Sequence, residues 1–304
     1  MSDPQVLAAW SGLRLTEVRE LTPGRVWELA DKRGSRYALK PVFDQPWLDA
    51  RSRFVAEARI VSFLARRGLP VAPPVLCDDG RIYATDDADV AYFLTPMLPA
   101  GRAGEVESAD RFRDVGATLA RLHVALAECP FEIHSWEINA ASFTSVWERI
   151  KAEVADIDEL VALVEPWLDR IAIATDDSRR QLVHGDAHGA NILTNEDSVT
   201  GIIDIEHMPI APRTYDVAYF FTFGINWPYK NDRVPVVDDI ALMVRNVLDG
   251  YGTLTAAELD QIPALSLSVA LGLLNYFRDD ERRIQEWWID TARWIIEHPQ
   301  TLTQ

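Results

Sequence analysis

Residues 181–219, QLVHGDAHGANILTNEDSVTGIIDIEHMPIAPRTYDVAY, decide how the rest of this 304-residue chain is read. Short apolar runs carry the polar residues of this stretch. Leu182-Val183 lead into His184-Gly185-Asp186, Asn191 opens Ile192-Leu193, and Gly201-Ile202-Ile203 ends in Asp204. In a phosphoryl-transfer site, an Asp with an Asn after four intervening residues supplies a base for the attacking hydroxyl and a metal ligand, and a later strand-borne Asp holds Mg²⁺ between the phosphates. Asp186, Asn191 and Asp204 have that order and spacing.

The segments HGDAHGAN, IIDIE and YDVAY together resemble the signature of the aminoglycoside phosphotransferase and choline kinase-like family. The resemblance implies an α+β, bilobal protein-kinase-like fold. Its parts would be a nucleotide-binding lobe at 1–95 with an antiparallel sheet and one helix, a linker at 96–100, and a mainly helical catalytic and acceptor-binding lobe at 101–304. It implies that Asp186 is the catalytic base, that Asn191 and Asp204 are the metal ligands, and that Asp216 is a buried acid bracing the catalytic loop. His184 stands where the family has its loop histidine, and His188 matches a histidine often found two residues past the base.

Upstream, VWELA and YALKPV flank Asp31-Lys32-Arg33-Gly34 and read as a hairpin whose turn is marked by the glycine. Lys40 closes the second strand, where the kinase-like template places the lysine that contacts the α- and β-phosphates. The loop that covers the phosphates in kinases carries several glycines, whereas only Gly24 is present here. Asp49 to Arg67 reads as a helix with an apolar face, and the family pattern would pair its Glu57 with Lys40. The plain alternative for Glu57 is an i,i+4 surface charge. Arg81 to Thr85 and Val90 to Leu98 complete a sheet of about five strands. Thr95 and Met97 then fall where kinase-like proteins run a linker past the adenine, the alternative being an edge strand ended by Pro96 and Pro99.

From Ser108, a reasonable N-cap, the period turns helical, with Phe112, Val115, Leu119, Leu122 and Leu126 on one stripe. His123 beside that stripe reads as a hydrogen-bonded core residue. Phe143 to Ile173 reads as one long or two short helices broken near Pro166, with a wet acidic face. Further helical patterns cover Asp238 to Tyr251, Ala256 to Leu274 and Glu281 to Glu297. Trp287, Trp288 and Trp294 on the last of these read as core, the alternative being an acceptor pocket that holds a cation with Asp279, Asp280 and Glu281.

The chain carries 30 basic and 47 acidic residues, unevenly placed: residues 1–100 hold 13 of each sign, so residues 101–304 hold the whole excess of 17 acids. An acidic body argues against nucleic-acid and anionic-membrane partners and steers a cationic small molecule toward a cleft, although surplus carboxylates also serve simply to keep a surface solvated. Cys77 and Cys129 are too few for a disulfide framework, which makes a reducing cytoplasm the expected home. No run is expected to reach the roughly 18 apolar residues that suggest a membrane span, and the N-terminus lacks the pattern of a secretion signal. His184 and His188 could suggest a metal pair, but His123, His134, His207 and His298 form no spaced motif with them, which argues against a metal hydrolase.

The expected activity is therefore transfer of the γ-phosphate of ATP, with Mg²⁺, to a hydroxyl of a small molecule. The acid excess favours an amine-bearing acceptor of the aminoglycoside, choline or homoserine kind. The alternative from another class is a kinase-like protein that binds nucleotide or ligand without turnover, prompted by the glycine-poor first loop. Ile205-Glu206 replaces the Phe-Gly that follows the metal aspartate in protein kinases, which favours a small acceptor over a protein.

Overall fold

A computed structural model of the chain describes residues 4–42, 50–99, 108–133, 135–176, 179–195, 198–205 and 208–304. It divides into two compact units, residues 1–100 with 129–134 and 200–206, and residues 101–128 with 135–199 and 207–304.

In the first unit, a short helix α1 (Pro4–Ala8) precedes β1 (Thr16–Thr22), β2 (Val26–Ala30) and β3 (Arg36–Pro41). Helix α2 (Ala50–Arg66), β4 (Ala84–Thr85) and β5 (Ala91–Pro96) follow. The sheet is antiparallel, in the order β1-β2-β3-β5-β4. Alternation along the strands sends Trp27, Leu29, Leu39 and Leu94 into one core with Val6, Trp10, Cys77 and Ala84. On β2, Glu28 is fully buried, and it is tolerated there because Arg19 and Arg36 both pair with it. Helix α2 buries Phe54, Ala58, Ile60 and Leu64 on one broad face. Farther along the chain, Ile202 returns to this unit, its N–H donating to Pro70 O at 2.7 Å.

The second unit begins with α3 (Ala109–Ala127), capped by the Ser108 side chain, which accepts from Arg111 N at 3.3 Å. Helices α4 (Ala140–Glu153), α5 (Asp158–Val164) and α6 (Leu168–Thr175) come next. The expected break near Pro166 is displaced. The helical run stops instead at Val154–Ile157, where Asp156 is left-handed (φ 55°), while Pro166 sits in a 3-10 turn that leads straight into α6.

Then follow β6 (Arg180–Leu182), β7 (Ile192–Thr194), β8 (Val199–Ile202), whose end lies in the first unit, and β9 (Ile210–Pro212), which pairs with β6. Helix α7 (Thr214–Lys230) covers a stretch that the sequence pattern left unassigned, with Pro228 in its last turn. Helices α8 (Val237–Tyr251), α9 (Ala256–Tyr276) and α10 (Arg282–Glu297) complete the unit.

Helix α3 runs along α8 at very close range: a Cβ added to Gly116 would lie 1.9 Å from Val247 O, and one added to Gly250 1.8 Å from Arg113 O. Helix α9 corrects the expectation about apolar runs, being long and apolar enough to cross a membrane by composition alone. Two-thirds of that window is buried, and α9 packs against α4, α6, α7 and α10, so it acts as the central core helix of this unit. Trp288 and Trp294 are buried, in keeping with the core reading of the last helix, whereas Trp287 is only half-buried.

Candidate functional site

The loop after β6 is organised by one carboxylate. Asp216, in the first turn of α7 and fully buried, accepts from the N–H of His184 through Oδ2 and of Gly185 through Oδ1, both at 2.8 Å. His123 Nε2 meets Oδ2 at 2.9 Å, and the other ring nitrogen of His123 meets the Tyr251 hydroxyl at 2.7 Å. Burial alone would raise the Asp216 carboxyl, but the hydrogen bond and charge of His123, the charge of His184 and the Gly185 N–H outweigh it and hold the group below its ordinary value. His123 is thus a hydrogen-bonded core residue. Gly185 has φ +81°, a conformation that a residue with a side chain adopts only with strain, and this lets the chain turn from strand into loop.

The turn from Asp186 to Asn191 closes through His188 N on Asp186 O (2.9 Å), with the N–H groups of Asn191 and Ile192 on His188 O (2.8 and 2.9 Å). This brings the Asn191 amide back over five residues, where Nδ2 donates to Asp186 O at 3.0 Å and to Asp186 Oδ2 at 2.7 Å. His188 Nε2 lies 3.5 Å from Asp186 Oδ1, and the phenol of the buried Tyr219 lies near the same carboxylate. Burial first, and then the negative charge of Asp186, push the Tyr219 phenol well above its ordinary value, so it stays a neutral donor. His184 Nδ1 accepts the Asp186 N–H at 3.2 Å. The Asp186 side chain, one-third exposed, is the member of this network that solvent reaches most.

Within the first unit, Lys40 on β3 pairs with the carboxylate of Asp204, just past β8 in a left-handed conformation (φ 57°). The Asp204 side chain is 43% exposed. Glu57 is buried on α2 with Arg53 Nε at 2.7 Å, so it is an i,i+4 partner but not a surface charge. Thr95 lies opposite Ala38 in the β3–β5 register, and the Met97 N–H donates to Arg36 O at 2.9 Å, a donor thus already committed to the sheet. Strand β5 is interior, between β3 and β4, rather than an edge. Ala100, His134, Glu206 and His207 lie outside the described residues.

Among the described residues no group of three or more His, Cys, Asp or Glu could hold a metal ion. Mg²⁺ is compatible with Asn191 in the second unit and with Asp204 in the first, each taken by itself, because it takes one or two protein oxygens and completes its shell with water and phosphate. Asn191 commits its amide nitrogen to Asp186, which leaves its amide oxygen open to a cation, and Asp204 keeps a carboxylate oxygen beyond the one on Lys40.

A cavity of about 340 Å³ in the second unit reaches Gly185, next to Asp186 in the chain, and Tyr219. Aromatic side chains dominate it: Tyr215 and Tyr219 with rings 6.0 Å apart, Phe143, and the exposed Trp136 and Tyr276. Glu137 adds a carboxylate that Arg180 contacts at 3.0 Å. The sequence reading missed Tyr219 and this lining. Tyr219 stands one helical turn after Asp216, a signal that α7, once recognised, would have made readable.

An antiparallel sheet with one long helix, followed by a mainly helical half carrying a loop braced by a buried aspartate, defines a protein of the kinase-like fold. The chain belongs to the phosphotransferase enzyme family (APH), whose model matches residues 15–259. Among solved structures it is similar to a microcompartment-associated aminopropanol kinase, with 18% identity and a TM-score of 0.72 over 99% of this chain and 98% of that one. It is also similar to the amicoumacin kinase hAmiN in complex with AMP-PNP, Ca²⁺ and Ami, with 16% identity and a TM-score of 0.70 over 97% and 93% of the two chains. An aminoglycoside phosphotransferase from Alicyclobacillus acidocaldarius shares 15% identity and a TM-score of 0.68 over 100% and 94%. At these identities the likeness is one of fold. No protein of curated function matches the chain in sequence.

Proposed function

We propose that this chain is an ATP- and Mg²⁺-dependent phosphotransferase that moves the γ-phosphate to a hydroxyl of a small, amine-bearing molecule in a reducing cytoplasm. The observation that carries the reading is the built environment of Asp186, a carboxylate aimed by Asn191, set beside His188 and Tyr219 and kept partly open to solvent. Asp186 accepts a hydrogen bond from the acceptor hydroxyl and takes its proton late in the transfer, which aligns the nucleophile. The Asn191 amide fixes the carboxylate, with His188 and Tyr219 packed beside it, so that this alignment survives without substrate. Mg²⁺, when bound, offsets the negative charge of the phosphates; Asp204 and Asn191 supply its protein oxygens, and Lys40 adds a positive charge. Asp216 and His184 hold the loop. Glu57 steadies α2, and the strand end at Thr95 and Met97 is assigned to the adenine through groups other than the Met97 N–H, which Arg36 O holds.

An amine-bearing acceptor is supported by the acid excess and by the aromatic cavity beside Gly185, since aromatic faces attract cations and Glu137 adds a negative group. The competing reading, a kinase-like protein that binds without turnover, draws on the glycine-poor first loop.

ADP release with Mg-ATP across aminoglycosides, choline, homoserine, amino sugars and plain sugars, run beside Asp186→Asn, separates the two. Stimulation by one acceptor class, reduced roughly 10²–10⁴-fold in the variant, is the expected result. Tight ATP binding with no stimulation by any of the compounds favours binding without turnover.

A further inference from the structure

A second cavity of the same unit, about 530 Å³, meets the loop at His188, Gly189 and Ala190. Its walls are apolar and aromatic, chiefly Phe112, Phe223, Trp227, Ile240 and Met243. The His188 ring stacks on Phe223 at 4.3 Å, and Phe223 stacks on Tyr219 at 5.2 Å. His188 and Phe223 line this cavity while Tyr219 lines the smaller one, so the two cavities share one aromatic partition, both of whose ends lie near the Asp186 carboxylate.

The exceptional wall residue is Lys230, at the end of α7. Its ammonium lies 5.1 Å from the Phe223 ring centre and 5.5 Å from that of Trp288, and among the described residues no carboxylate comes within ion-pair distance. Burial lowers its pKa. The one acid on the lining, Asp239, is exposed to solvent, where screening weakens it, while the lysine is held half-buried against rings. In a unit where acids outnumber bases by nearly two to one, a desolvated cation that has only ring faces for partners is an unfilled demand for negative charge. The volume lies within the range of small-molecule sites, where apolar walls hold the body and one polar group fixes its orientation.

We propose that this cavity is a ligand site for an amphipathic anion, a flat apolar body carrying one carboxylate or comparable acidic group that pairs with Lys230. The site is distinct from the aromatic cavity assigned above to the acceptor, and its occupant seats against the loop that carries the base. The proposal does not depend on phosphotransferase activity.

Three probes with one body and different charge test it by isothermal titration calorimetry on the full chain: 2-naphthoate, 2-naphthalenemethanol and 2-naphthylmethylamine. The expected order is naphthoate tightest, by about tenfold or more over the alcohol, with the amine weakest. Lys230→Met should abolish the preference while leaving alcohol binding in place, and Lys230→Arg should retain it. Leu242→Trp, which changes the wall and leaves the lysine, should weaken all three probes. Equal binding of the three, tighter binding of the amine, a naphthoate preference that persists in Lys230→Met, or no saturable binding of any probe would overturn the proposal. None of these readouts involves ATP, so a failure here and a failure of the kinase reading are told apart.

Discussion

Two aspartates, one in each unit, show opposite ways of carrying a negative charge. Asp216 is fully buried, and both of its oxygens are matched by protein donors: two backbone N–H groups and an imidazole. Asp204 shares one oxygen with Lys40 and is nearly half exposed. A carboxylate whose hydrogen bonds are all met internally has nothing left to offer a ligand and can only shape the chain around it. A carboxylate left half-satisfied at a strand end keeps an atom available for exchange. The difference separates scaffold from chemistry more sharply than burial does, because Asn191 is also buried yet commits only its amide nitrogen, to Asp186.

The largest effect that would break this contrast is on stability. Asp216→Ala leaves the N–H groups of His184 and Gly185 and the His123 ring without their acceptor, and removing one member of a buried ionic network costs about 3–5 kcal/mol. Urea unfolding should register a loss of that size, with Asp216→Asn intermediate because it keeps one acceptor. If Asp216→Ala unfolds within about 1 kcal/mol of the parent, the carboxylate is not the brace described here.

A smaller effect follows from Glu258, another internally committed acid. It caps α9 through Thr255 and receives Arg213 Nε at 2.7 Å and Nη2 at 3.0 Å. Burial would raise its carboxyl, but the Arg213 hydrogen bond and the Thr255 contacts outweigh burial and bring it from 4.5 down to about 2. Asp216 is depressed in the same direction. Both groups bind protons less readily in the folded chain than in the unfolded one, so the stability they contribute is present above about pH 4.5 and is lost as the pH falls toward 2. Glu258→Gln should therefore lower Tm at neutral pH and flatten its dependence on pH between those limits. A variant with the same slope as the parent would remove Glu258 from the account.

What could be read in advance follows the distance over which each feature is assembled. The Asp186–Asn191 pair closes within five residues, so its spacing in the sequence already carries its geometry, and Lys40 is placed by the alternation of a single hairpin. The aromatic cavity draws on Trp136, Gly185, Tyr215, Tyr219 and Tyr276, which no local period connects. Lys230 was hidden for a related reason: Pro228 two residues earlier argues against a helix, although in the last turn the missing N–H does little harm. The break at Asp156 had no glycine to announce it, and Met97 could not be known to pair with Arg36 until the strand register was fixed. Local chemistry was legible, and the surfaces built across helices were not.

The smallest expected effect on stability belongs to the Lys40–Asp204 corner, and it is the sharpest test of the contrast. An ion pair that solvent reaches is worth no more than about 1 kcal/mol, so Lys40→Met and Asp204→Asn should each unfold within that margin of the parent. Turnover should behave the other way, falling roughly 10²–10³-fold in each, because a group aimed at developing phosphate charge acts chiefly in the transition state. Unfolding curves and ADP release measured on the same preparations decide the matter. If either substitution destabilises the chain as much as Asp216→Ala does and leaves ATP binding and turnover intact, the pair is scaffold like Asp216, and the distinction between committed and available carboxylates fails where it matters most.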